Sequence, residues 1–131
     1  MKGVDTNLLV RFLTGDDKEQ AGKVYALFKK AEMEKNTLFV PLLVLLELIW
    51  VLESVYEIAR SEILEALSEL LLMSCLQFEQ QATVRQFTIN ARENSYDLAD
   101  LLIAHSAETQ GCRSVLTLDK KASGFNLFEL L

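Results

Sequence analysis

This chain is poor in the residues that break, staple or metallate a fold. One proline among 131 residues, half of them hydrophobic, excludes a disordered tail and is consistent with one ordered domain spanning 1–131. The two cysteines, Cys75 and Cys112, lie far apart with no Cys-x-x-Cys or histidine-pair spacing. They read as two ordinary buried thiols of a reduced chain, with a disulfide as the alternative. His105 is the only histidine. No long hydrophobic run is present: the most apolar stretch, 41–52, is too short to span a bilayer and carries Glu47. Positive charge is also scarce. The net charge of −6 argues against broad electrostatic binding to nucleic acid, although lysines crowd 18–35 and glutamates crowd 53–69. Strand-like residues begin within three positions of Met1, unlike a signal peptide, so a soluble cytoplasmic protein is expected.

What is there alternates. Residues 2–5 read as a short buried strand, and Leu8, Leu9, Phe12 and Leu13 as a short helix closed by Gly15. Asp16 or Asp17 is placed to cap a second helix with the stripe Ala21, Val24, Leu27, Phe28 and Ala31. A strand at 37–40 leads through Pro41 into a helix apolar nearly all round, which predicts burial on more than one side. Ser61 is the expected cap of the next helix. A strand at 75–78, helices at 80–94 and 97–110, a strand at 114–118 and a last short strand at 126–130 complete the chain. Strands alternating with helices, without hairpin signals, predict an α/β fold with a mostly parallel sheet covered by helices on both faces.

Four acids stand out in this pattern. Asp5 and Asp119 end apolar strand-like runs, while Glu47 and Asp100 sit among apolar residues on helices. In an open parallel sheet functional groups collect at the carboxyl ends of the strands, so the four are expected to converge in one cleft there. Carboxylates set among apolar residues are costly to bury, and several together repel unless a cation lies between them. All-oxygen ligands suit Mg²⁺ or Mn²⁺. Each acid also has a plainer reading. Asp5 can cap a helix, Asp119 can open a solvated turn before Lys120, and Asp97 can cap the helix on which Asp100 lies. Glu47 has no basic residue three or four positions away to pair with. Thr117 shares Asp119's side of its strand and reads as ligand support or as β-branched filler. His105 reads as a surface or core residue, Trp50 and Phe28 as core or interface, and the lysine-rich helix as a solvated face.

Val4-Asp5-Thr6-Asn7-Leu8-Leu9, the helix around Leu46-Glu47-Leu48, the run from Asp97 to Ala104 and Leu116-Thr117-Leu118-Asp119 together resemble, in order, the motifs of PIN-domain proteins. Leu98 and Leu118 stand where an aromatic residue is frequent in that family. The length is similar to that of its single-domain bacterial members, the toxins of VapBC toxin–antitoxin pairs. The resemblance implies a three-layer sandwich around a mostly parallel sheet of four to five strands. It also implies a Mg²⁺- or Mn²⁺-dependent endoribonuclease, a homodimer and inhibition by a cognate antitoxin. Carried over by position, the metal-binding acids are Asp5, Glu47, Asp100 and Asp119, supported by Thr6, Asn7, Asp97 and Thr117. Two rivals are a receiver domain and a non-catalytic PIN-like module that binds RNA or protein. The receiver would need paired acids after the first strand, where this chain has Asp5 alone.

Overall fold

A computed structural model describes all residues, 1–131. Pairs of helices separate the first four of five short strands, a 3₁₀ turn separates the last two, and every strand pair is parallel. The chain divides into two compact units, Met1–Glu79 and Gln80–Leu131. No helix is long and apolar enough to cross a membrane.

The first unit holds β1 (Lys2–Gly3), α1 (Thr6–Thr14), α2 (Lys18–Met33), β2 (Leu38–Val40), α3 (Leu42–Ser54), α4 (Arg60–Leu71) and β3 (Leu76–Phe78). Its strands form one sheet in the order β1-β2-β3, with Lys2 opposite Leu38 and Leu38 opposite Leu76. Alternation sets the faces: Leu76 and Phe78 are buried while Gln77 between them is exposed. Because the strands are parallel, Asp5, Pro41 and Glu79 all follow strand ends at one edge of this sheet.

Helix ends explain much of the connectivity. Asp5 caps α1 by accepting the Thr6 N–H at 2.7 Å, and Gly15 ends that helix in the left-handed region at φ 64°. Of the two candidate aspartates, Asp17 caps α2, accepting the Gln20 N–H at 3.0 Å. Pro41 precedes α3 but supplies no cap of its own. The orphan N–H of Leu42 donates instead to Glu79 Oε1, at 2.8 Å from the end of β3. Where Ser61 was expected to cap α4, the helix starts at Arg60 after an extended Ala59, and Ser61 lies inside the first turn.

Sidedness of α3 also differs from expectation. Leu45, Leu48, Ile49 and Leu52 are buried, which is one stripe of a helix, and Leu43 and Trp50 on the opposite face are exposed. Apolar residues at nearly every position mask which face is the core. Ile63, Leu64, Leu67, Leu70 and Leu71 of α4 are buried as well. Arg11 joins the elements on the surface, donating to Gln20 Oε1 at 2.7 Å and lying 3.4 Å from Asp16. The Tyr56 hydroxyl, donating to Asp16 at 2.6 Å, is the main reason this carboxyl is held below its ordinary pKa, with Thr14 and Arg11 adding to the effect.

The second unit holds α5 (Gln81–Ala91), α6 (Leu98–Thr109), β4 (Val115–Thr117), a short 3₁₀ turn at Ala122–Gly124 and β5 (Phe128–Leu130). β4 pairs with β5, Val115 opposite Phe128. Phe87 and Leu98, Leu101 and Leu102 form the largest part of its core. His105 is buried with them, its ring near those of Phe87 and Phe125 and its Nε2 3.3 Å from Asn90 Oδ1. Of the two thiols, Cys75 is buried as expected but Cys112 is exposed, and neither is bridged. Cys112 follows Gly111, whose φ of 93° turns the chain off the end of α6.

Two glycines test the backbone account. Gly22 lies within α2 with open space where a Cβ would sit, whereas Gly15 holds a left-handed cap. Gly22→Ala is expected to raise unfolding stability by about 0.4–1 kcal/mol. Gly15→Ala is expected to lower it by about 1 kcal/mol. Urea melts of the two variants check both signs.

Candidate active site

In the first unit the site begins at the end of β1. Val4 is buried in the sheet, so the chain emerges at Asp5 with its carboxylate exposed. Thr6 is the joint. Its N–H donates to Asp5 Oδ1 and its buried hydroxyl donates to Glu47 Oε1, on the second turn of α3. A hydroxyl bonded to a carboxylate is a charge-assisted contact and orients the acid strongly. Asp5 and Glu47 are therefore tied to one residue while Asp5 Oδ2 and Glu47 Oε2 remain uncommitted. Asn7, exposed on the first turn of α1, makes no hydrogen bond to either acid.

Glu79 was not anticipated as a contributor. By capping Leu42 it fixes the start of α3, five residues before Glu47. A carboxylate at the end of the third strand-like run was the only signal in the sequence, and a bond across 37 positions cannot be read from spacing.

In the second unit Asp97 caps α6, accepting the Asp100 N–H at 3.0 Å. Asp100 itself is half-buried, and neither of its oxygens is hydrogen-bonded within the chain. Its pKa is raised, first by partial burial, then by the charges of Asp97 and Asp119. Those two causes place Asp119 within electrostatic reach of Asp100. Asp119 uses Oδ1 to accept the N–H groups of Lys121 and Ala122 at 2.9 and 3.2 Å, which opens the 3₁₀ turn. The hydroxyl of Thr117 accepts the Asp119 N–H at 3.0 Å, so Thr117 fixes the backbone that carries the acid. One carboxylate oxygen of Asp119 thus makes the turn and the other is uncommitted.

The apolar neighbours had suggested buried carboxylates. Asp5, Glu47 and Asp119 are exposed: Glu47 lies opposite the buried stripe of α3, and the residues flanking Asp119, Leu116 and Leu118, are exposed themselves. None of the four acids is paired with a lysine, arginine or histidine side chain. Neither unit gathers three His, Cys, Asp or Glu side chains closely enough to hold one metal ion. The donor chemistry nonetheless fits a hard divalent cation. The donors are all oxygen, each acid keeps an uncommitted oxygen, and the mutual repulsion at Asp100 is what a cation relieves.

The family model for the PIN domain matches residues 3–126, a stretch that includes all four acids. The chain belongs to the PIN domain family. This PIN domain is similar to a VapC ribonuclease of Aquifex aeolicus (strain VF5), 26% identical over 121 residues that cover 92% of this chain and 89% of the relative. Its α/β architecture and parallel strands agree with that membership.

Charge at Asp100 has a thermodynamic signature in this PIN domain. A folded-state pKa above the ordinary 3.8 means that protonation favours the fold. The contribution is full below that value and is lost as pH rises through the raised folded pKa. Without metal, Asp100→Asn is accordingly expected to melt higher than wild type at neutral pH, the gap narrowing as pH falls towards 3.8. A variant that melts lower at neutral pH would contradict the reading of Asp100 as a repelled carboxylate.

Proposed function

We propose that the chain acts as one PIN domain and is a divalent-metal-dependent endoribonuclease, the toxin of a type II toxin–antitoxin pair. The observation that carries this reading is that the family match spans four carboxylates with uncommitted oxygens and no cationic partners. The relative named VapC ribonuclease supports the substrate class. Asp5 and Asp100 would hold Mg²⁺ or Mn²⁺ directly, and Asp119 would hold a further ion or a water beside it. When bound, the ion supplies charge stabilisation for the phosphate and a water of lowered pKa. Glu47, held at Oε1 by Thr6, has Oε2 free to orient the attacking water. As a water adds to phosphorus and gives up a proton to solvent, the P–O bond to the ribose oxygen breaks and that oxygen leaves as a hydroxyl, protonated from solvent. Thr117 and Asp97 hold the acids of the second unit in place. The substrate is single-stranded or loop RNA, whose backbone is open to attack.

The same reading includes an antitoxin. A groove of about 520 Å³ in the first unit is lined by Leu13, Leu52, Ile58 and Ile63 together with Glu62 and Glu69. Apolar and basic side chains on one segment complement it. A homodimer through α3 and α4 would use what those helices leave exposed, including Val55 and Leu72 at their C-terminal ends, since most of their other apolar residues are core.

Cleavage of a panel of structured RNAs tests the reading. Wild type is expected to cut with Mn²⁺ and to stop with EDTA. Asp5→Asn and Asp100→Asn should each slow cutting about 100-fold or more, and the double variant should be little worse than either, as for groups that act as a unit. Wild-type protein that retains RNA on a gel but leaves every RNA intact would favour the non-catalytic binding module.

A further inference from the structure

Trp50 is the one tryptophan of the chain and is 60% exposed. Its indole takes part in no hydrogen bond or ring contact within the protein. Large aromatic side chains are seldom left in water without a use. Its position on α3 is specific. Leu43, Glu47 and Trp50 are spaced four and three residues apart, so they form one stripe on the helix, opposite the buried stripe of Leu45, Leu48, Ile49 and Leu52. Leu43 is 78% exposed. The acid tied to Thr6 thus stands between two exposed apolar side chains, with the indole one turn away.

We propose that Trp50 is a substrate-binding residue that stacks on a nucleobase of the single-stranded RNA whose backbone lies at Glu47. The inference rests on the nuclease reading above and extends it from the backbone to a base. The charge pattern favours a base over a protein surface. A protein covering Leu43 and Trp50 would also bury Glu47 between them and would have to place a cation of its own against it, since α3 contains no lysine, arginine or histidine. A second copy laid two-fold on this face would set one Glu47 near the other. A base stacked on the indole leaves Glu47 open to water and substrate. Stacking also supplies what the chain otherwise lacks. With a net charge of −6, attraction to phosphates contributes little, whereas base–aromatic stacking does not depend on net charge and tolerates any sequence.

Because Trp50 is the only tryptophan, its emission reports one site. The probe is a single-stranded oligoadenylate, titrated into wild type in EDTA and into Asp100→Asn in Mg²⁺, conditions under which the proposed cleavage is off. The expected result is strong quenching on binding. Trp50→Ala should weaken binding about tenfold or more, and Trp50→Phe, which keeps a stacking ring, by less. In cleavage by otherwise wild-type protein, Trp50→Ala should raise KM with kcat nearly unchanged. Oligoadenylate that does not bind, or that binds without quenching and equally well to Trp50→Ala, overturns the proposal. So does an emission shift driven by protein concentration alone with a doubling of mass, which assigns this face to a second copy. Quenching and loss of binding in a protein that cuts no RNA would retain the stacking site and remove the nuclease reading. Cleavage unaffected by Trp50→Ala would do the reverse.

Discussion

Thr6 has two donors, and both are committed to acids. Its N–H holds Asp5, two residues after β1 ends, and its buried hydroxyl holds Glu47, 41 positions later on α3. The first unit depends on this joint, because it fixes where the first helix leaves the sheet and how the third helix faces that edge. Glu79 completes the arrangement from the third strand, capping the first N–H of α3. Three parallel strands therefore end on one edge with their following residues hydrogen-bonded to helix starts. The side-chain oxygens left over at that edge are carboxylate oxygens with no cation against them.

The second unit reaches a similar state by a different route. There the helix N-terminus of α6 and the turn after β4 each use one aspartate for backbone bonds, and Asp100 is left with none. Its raised pKa shows the cost: partial burial and two neighbouring negative charges without compensation. Groups that strain stability in this way are retained when they serve a site. The wider charge balance points the same way. An acidic chain with exposed, unpaired carboxylates repels RNA until a cation intervenes, and a sequence-tolerant contact such as stacking then has energetic room to matter.

Much of this was legible in the residues. The caps Asp5, Asp17 and Asp97 and the terminating glycines Gly15 and Gly111 fall where turn and helix chemistry puts them. Parallel pairing follows from alternation without hairpins. Local signals failed where the structure uses distant partners. Ala59 starts α4 with no polar side chain to announce it, so Ser61 looked better. Glu79 caps a helix 37 positions earlier, which no spacing rule encodes. Leucine at almost every position of α3 hid its single buried stripe, and with it the exposure of Trp50. The acids themselves were marked by their placement among apolar residues and again by the resemblance to PIN domains. Apolar neighbours suggested burial, and three of the four carboxylates are exposed.

The proposed function requires that Asp5 and Asp100 each bind a divalent metal. Electron paramagnetic resonance of free Mn²⁺, titrated with wild type, Asp5→Asn and Asp100→Asn, tests it without any substrate. The account predicts that wild type removes the free-ion signal and that each single variant weakens binding by about tenfold or more. If either variant binds Mn²⁺ as tightly as wild type, that acid is not a metal ligand, and the proposed function is contradicted.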